Sequence, residues 1–134
     1  MATRRVARCC CGAVKVTVRG EPTLHALCHC ANCKQRTGSA FGISAYFPQQ
    51  HVESVVGEVV EYQVTTEHNE QIRNFCSTCG TTVYWSVSTL ADFIGVAGGC
   101  FTEAPLDAPK ATVLDEQRCS WVQLPAGLAQ SMSE

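Results

Sequence analysis

Apolar and polar residues alternate one by one over short spans of this chain, and no segment sustains the three-to-four-residue period of an amphipathic helix. Val14, Val16 and Val18 fall on one face and Lys15, Thr17 and Arg19 on the other, the pattern of a half-buried strand. Residues 6–8 lead toward it across Cys9-Cys10-Cys11-Gly12, where the glycine permits a tight hairpin turn. Residues 24–27 predict a short strand. Phe41, Ile43, Ala45 and Phe47 alternate with Gly42, Ser44 and Tyr46 in another, closed by Pro48. Two β-branched runs, 52–56 and 59–64, are divided by Gly57 and predict a strand pair. Polar residues 67–70 form a turn tip, and strands at 71–75 and 81–86 flank a second turn. Residues 92–99 and 110–114 predict the last strands. Residues 34–38 leave room for one helical turn at most, and 127–134 have the character of a frayed tail. The predicted class is mainly β.

At 134 residues the chain reads as a single domain, 1–134, long enough to bury a core without covalent staples. A net charge of −2 with 16% charged residues supplies no basic footprint for nucleic acid. Arg4, Arg5 and Arg8 form a short basic cluster, read as a solvated strand. No run approaches the roughly 18 apolar residues of a membrane span, and nothing before Cys9 resembles a signal peptide. The expected setting is therefore cytoplasmic, without a membrane partner, where thiols stay reduced. Ten cysteines in such a setting argue for metal rather than disulfides.

The cysteines fall into groups. Cys28, Cys30 and Cys33 place three thiols within six residues. A disulfide uses only two, whereas tetrahedral zinc, with Zn–S of about 2.3 Å, accepts sulfurs about 3.8 Å apart. A tight turn after a strand end would bring the three together. Three protein ligands with a fourth position vacant mark a reactive zinc rather than a structural one. Cys76-x-x-Cys79-Gly80 between two strands has the form of a zinc knuckle; a redox C-x-x-C would instead open a helix. Cys9 and Cys11, two apart, can point the same way while Cys10 points away, although three consecutive thiols leave that choice open.

The two pairs, Cys9/Cys11 and Cys76/Cys79, sum to one closed four-cysteine site, and the triple stands alone with an open position. A competing partition joins the triple to a fourth cysteine as one structural site. Cys100 and Cys119 read as small buried residues. A four-cysteine site joining these pairs would clamp two ends of the sheet.

Cys9-x-Cys11-Gly12, Cys28-His29-Cys30-x-x-Cys33, Thr37-Gly38-Ser39-Ala40-Phe41, Phe75-Cys76-x-x-Cys79-Gly80 and Trp121-Val122-x-Leu124-Pro125 occur in this order. Together they resemble the glutathione-dependent formaldehyde-activating enzyme family, which includes centromere protein V, from Cys9 to about Leu128. The resemblance implies a β-tent, a complex β-sheet fold with zinc sites at its loops. It also implies two Zn²⁺ per chain: a structural one on Cys9, Cys11, Cys76 and Cys79, and a catalytic one on Cys28, Cys30 and Cys33. The family's reaction adds glutathione to formaldehyde, giving S-hydroxymethylglutathione, and is classed as a carbon–sulfur lyase activity. The chain departs from the family pattern at Ser120, where many members have proline, and at Thr112, near which many have histidine.

Two functional readings follow. In one, the chain is an enzyme joining glutathione or a similar thiol to formaldehyde or another small electrophile at the open zinc. In the other, it is a non-catalytic zinc domain with two structural metals, serving as a partner-binding module. For the enzyme, His29 and His25 are candidate proton carriers. Lys34, Arg36 and Arg73 are candidate partners for the glutathione carboxylates.

Overall fold

A computed structural model describes residues 3–131 and bears out the mainly β class. The strands are β1 (Arg4–Arg8), β2 (Lys15–Arg19), β3 (Leu24–Cys28), β4 (Gly42–Pro48), β5 (Val52–Val56), β6 (Val59–Thr65), β7 (Glu70–Cys76), β8 (Thr82–Val87), β9 (Phe93–Ala97), β10 (Ala111–Val113) and β11 (Ala129–Ser131), with one α-helix, α1 (Ala31–Thr37). They make a three-stranded sheet, β1-β2-β5, and an eight-stranded sheet, β11-β10-β3-β4-β9-β8-β7-β6. Pairing is antiparallel except where β10 runs parallel to both β3 and β11.

The alternation along β2 does what it predicts. Val16 and Val18 are buried, and with Ala7 and Val14 they pack on Ala45, Phe47, Val83, Val96 and Phe101 of the larger sheet and its connections. Two sheets thus share one apolar layer, with the outer face of β2 turned toward solvent. The opposite face of the larger sheet carries Tyr46 and Trp85, packed edge to face at 6.4 Å and joined by a bond from Trp85 Nε1 to the Tyr46 hydroxyl of 3.0 Å.

Three expectations are corrected. The runs at 52–56 and 59–64 do not pair with each other: β5 joins β2 in the small sheet, and β6 joins β7 in the large one. Gly57 makes that crossing possible. Its φ is +102°, and a Cβ there would run into the Ala13 carbonyl oxygen. Gly57→Ala should therefore cost about 2–4 kcal/mol, combining left-handed strain with a backbone clash. A drop in the urea midpoint checks this against Gly99→Ala, where the added Cβ meets nothing within 4 Å.

Next, the C-terminal segment is not simply frayed, because 129–131 add a parallel strand to β10; residues 132–134 lie outside the described residues. Finally, α1 starts inside the cysteine triple rather than after it. Cys30 is its N-cap, with Sγ accepting from the Cys33 N–H at 3.3 Å, and Gly38 ends it in the left-handed conformation, its N–H reaching Lys34 O at 2.8 Å. Lys34 and Arg36 in the last turn suit the helix dipole.

Candidate metal centres

Cys9 closes β1 and Cys11 lies in the β1–β2 loop, while Cys76 ends β7 and Cys79 lies in the β7–β8 turn. The two loops are built alike. Gly12 N–H returns to Cys9 O at 3.0 Å and Gly80 N–H to Cys76 O at 2.9 Å, both glycines at φ near +80°. Each turn folds its backbone around its first sulfur: Val14 N–H points at Cys9 Sγ (3.2 Å) and Thr78 N–H at Cys76 Sγ (3.4 Å). Cys10 N–H binds Thr81 Oγ1 at 3.1 Å, locking one loop onto the other.

The four sulfurs of Cys9, Cys11, Cys76 and Cys79 lie within 4.8 Å of one another. Cys9–Cys11 is 3.6 Å and Cys11–Cys76 is 3.7 Å, close to the spacing of about 3.8 Å that a tetrahedral zinc thiolate site requires. Cys9 and Cys76 are buried, and Cys11 and Cys79 are exposed. The Thr81 hydroxyl and backbone pull the Cys79 thiol down to about 5, favouring its thiolate. Because the loops come from different sheets, this group bridges the two sheets rather than two ends of one.

The second group sits where β3 runs into α1. Cys28 pairs in register with Gly42 and Val113, and His29 N–H reaches Val113 O at 3.1 Å, so strands on both sides hold the loop. Cys28, Cys30 and Cys33 bring their sulfurs within 4.8 Å, with Cys28–Cys30 at 3.5 Å. Hydrogen bonds from Cys28 and Cys33 pull Cys30 down to about 2, whereas Cys28 is pushed far above the usual thiol range by Cys30, Cys33 and burial. Three sulfurs this close cannot all ionise without a cation between them. Spacing, N–H···S bonds and charge all fit a divalent thiophilic metal. Among the described residues, no fourth Cys, His, Asp or Glu ligand atom joins the group.

Beside the three sulfurs opens a cavity of about 300 Å³. Its far wall is the β6–β7 turn, with Thr66, Glu67, His68 and Asn69, and Asn32, Gln71 and Arg73 supply further polar groups. The turn is braced by Thr66 Oγ1, which accepts from the N–H groups of His68 (3.2 Å) and Asn69 (3.0 Å).

Neither histidine singled out from the sequence lines this cavity. His29 is fully buried, bonded through Nε2 to Thr112 Oγ1 at 2.9 Å, and Thr112 donates onward to Asp115 at 3.2 Å. That chain makes His29 a donor at Nε2, and burial lowers its pKa, keeping the ring neutral. His25 lines a separate cavity with Glu21 and Asp107. The histidine on the cavity wall is His68, its Nε2 3.2 Å from Glu67 Oε1, in a stretch whose sequence signals only a turn. None of the ten cysteines is joined in a disulfide, and Cys10, Cys100 and Cys119 stand outside both sulfur groups.

Two cysteine groups able to hold metal ions, consistent with zinc, and seated at the loops of a complex β-sheet fold define the class of protein. The model of the glutathione-dependent formaldehyde-activating enzyme family matches residues 4–118, and the chain belongs to that family. A protein of Rhodobacter sphaeroides solved by crystallography is similar in fold, with a TM-score of 0.53 and 23% identity over 76% of this chain and 99% of that one. No curated protein matches the chain. No helix among the described residues is long and apolar enough to cross a membrane.

Proposed function

We propose that this chain is a zinc-dependent carbon–sulfur lyase-type enzyme that joins glutathione, or a similar thiol, to formaldehyde or another small electrophile. In this reading the protein works in the reducing cytoplasm as one domain. Cys9, Cys11, Cys76 and Cys79 hold a structural zinc, and Cys28, Cys30 and Cys33 hold the reactive one. The supporting observation is the three-sulfur group without a fourth ligand among the described residues, fronting a cavity of about 300 Å³.

When bound, zinc supplies a vacant position in which a thiol loses its proton and its sulfur is held as a nucleophile. The chain's own part is to fix the geometry. The Cys33 N–H steadies the Cys30 sulfur, β10 and β4 pin Cys28, and the β6–β7 turn encloses the space facing them. Addition forms one S–C bond. The carbonyl π pair moves to oxygen, which takes up a proton while the thiol proton is released, so the product is the hydroxymethyl thioether.

Exchange NMR of glutathione and formaldehyde tests this reading. Zinc-replete protein is expected to carry two zincs per chain and to drive S-hydroxymethylglutathione formation faster than the spontaneous reaction. A rate equal to the protein-free control would overturn the enzyme and leave a zinc-binding module.

A further inference from the structure

β6 is open along one edge and on most of both faces. It closes one end of the eight-stranded sheet, with β7 as its neighbour, and five of its seven residues are exposed. β5, which precedes it across Gly57, is an edge of the small sheet and is exposed at four of five positions. Among the described residues, the exposed large apolar side chains are Val55, Val56, Val60, Tyr62, Ile72 and Trp121. All but Trp121 lie on β5, β6 and β7, so they gather around these two edges.

Sheet edges are ordinarily guarded by short strands, charged side chains, proline or bulges. The far edge of each sheet conforms: β11 has three residues, and β1 carries Arg4, Arg5 and Arg8. β6 has seven residues, no proline and a single charge, Glu61, and it keeps an unbroken register with β7. Its alternate backbone N–H and C=O groups point away from β7 and pair with no strand.

Charge and length select what covers this edge. The centre of the strand is Tyr62. An antiparallel pair of two β6 strands about a twofold axis at Tyr62 matches all seven residues. Glu61 then falls opposite Gln63, Val60 opposite Val64 and Val59 opposite Thr65; just beyond the strand, Glu58 falls opposite Thr66. No carboxylate meets another directly across the pair. Moving the axis to Glu61 would set two carboxylates face to face and shorten the match.

We infer that β6 is the contact of a twofold dimer, in which a second copy of this chain pairs antiparallel with it about Tyr62. The two large sheets then run on into each other, and each copy covers the exposed Val60 and Tyr62 of the other. Such a contact is isologous, so it closes on two copies rather than growing into a filament. β6 also leads into the Thr66–Asn69 turn that walls the three-sulfur cavity, so the pairing braces that wall from behind.

Sedimentation equilibrium of the zinc-loaded chain at micromolar concentration is expected to give twice the 14.5 kDa chain mass. Tyr62→Lys sets like charges face to face at the axis and should weaken the dimer about a hundredfold. Tyr62→Glu should do the same, and an equimolar mixture of the two variants should restore the dimer mass. Trp121→Lys, at the 73% exposed aromatic away from this edge, should leave the dimer intact. A monomer throughout would overturn the inference and leave the edge to an extended segment of another protein. A dimer that survives Tyr62→Lys, or one that Trp121→Lys breaks, would overturn it too. Should neither Tyr62 variant fold, amide hydrogen exchange of the unmodified chain decides. Protection of alternate β6 amides that rises with chain concentration supports the pair, and protection independent of concentration rules it out.

Discussion

Cys76→Ser is expected to yield a chain that does not reach its native fold. Cys76 is 1% exposed at the end of β7, its sulfur 3.7 Å from that of Cys11 in the loop of the other sheet. Serine offers a hydroxyl that is a poor zinc ligand and lacks a thiolate's charge, so the four-sulfur cage loses its metal. Apparent binding free energies of structural zinc run to about 10–16 kcal/mol in small zinc domains. Net stabilities of folded domains are only about 5–15 kcal/mol. Loss of the cage therefore removes as much as the whole margin, and the apolar layer between the sheets is left to hold them alone. Far-UV circular dichroism together with zinc content per chain checks this. A soluble, cooperatively melting variant that still carries two zincs would show that the cage is not the clamp.

Cys30→Ser should do the opposite, sparing the fold and removing the chemistry. Cys30 has two jobs, as a member of the three-sulfur group and as N-cap of α1. Serine is among the preferred N-caps, so its hydroxyl can take over the Cys33 N–H and the helix persists. The group, however, falls from three sulfurs to two, too few to hold zinc tightly. The expected protein is folded, with one zinc per chain, and forms S-hydroxymethylglutathione only at the spontaneous rate. Two retained zincs with an undiminished rate would rule out Cys30 as a ligand that the reaction needs. Paired with Cys76→Ser, it separates the proposed structural site from the proposed reactive one.

The sequence is legible where the signal is local. The alternation of Val14, Val16 and Val18 needs only a two-residue period and one buried face, and the structure buries all three. The cysteine grouping was also legible, since two incomplete pairs and one triple admit few partitions, and the sulfurs gather as four and three. The helix was not. Cysteine is not a customary N-cap, and seven residues are too few to show a period. The pairing of β5 and β6 misled because neighbours in sequence usually pair, and a single glycine at φ +102° sends the chain to the other sheet instead.

The chain by itself thus determined the class, the short strands and the sulfur sets, because alternation and ligand spacing are properties of a few consecutive residues. Only the tertiary structure decided which sheet each strand joins and what faces the three sulfurs. Thr66 to Asn69 and Arg73 reach Cys28, Cys30 and Cys33 from more than thirty positions away in the chain. Nothing in their local pattern marks them as part of a cavity. It exists because β7 packs beside β8 and carries them across the large sheet to the start of α1.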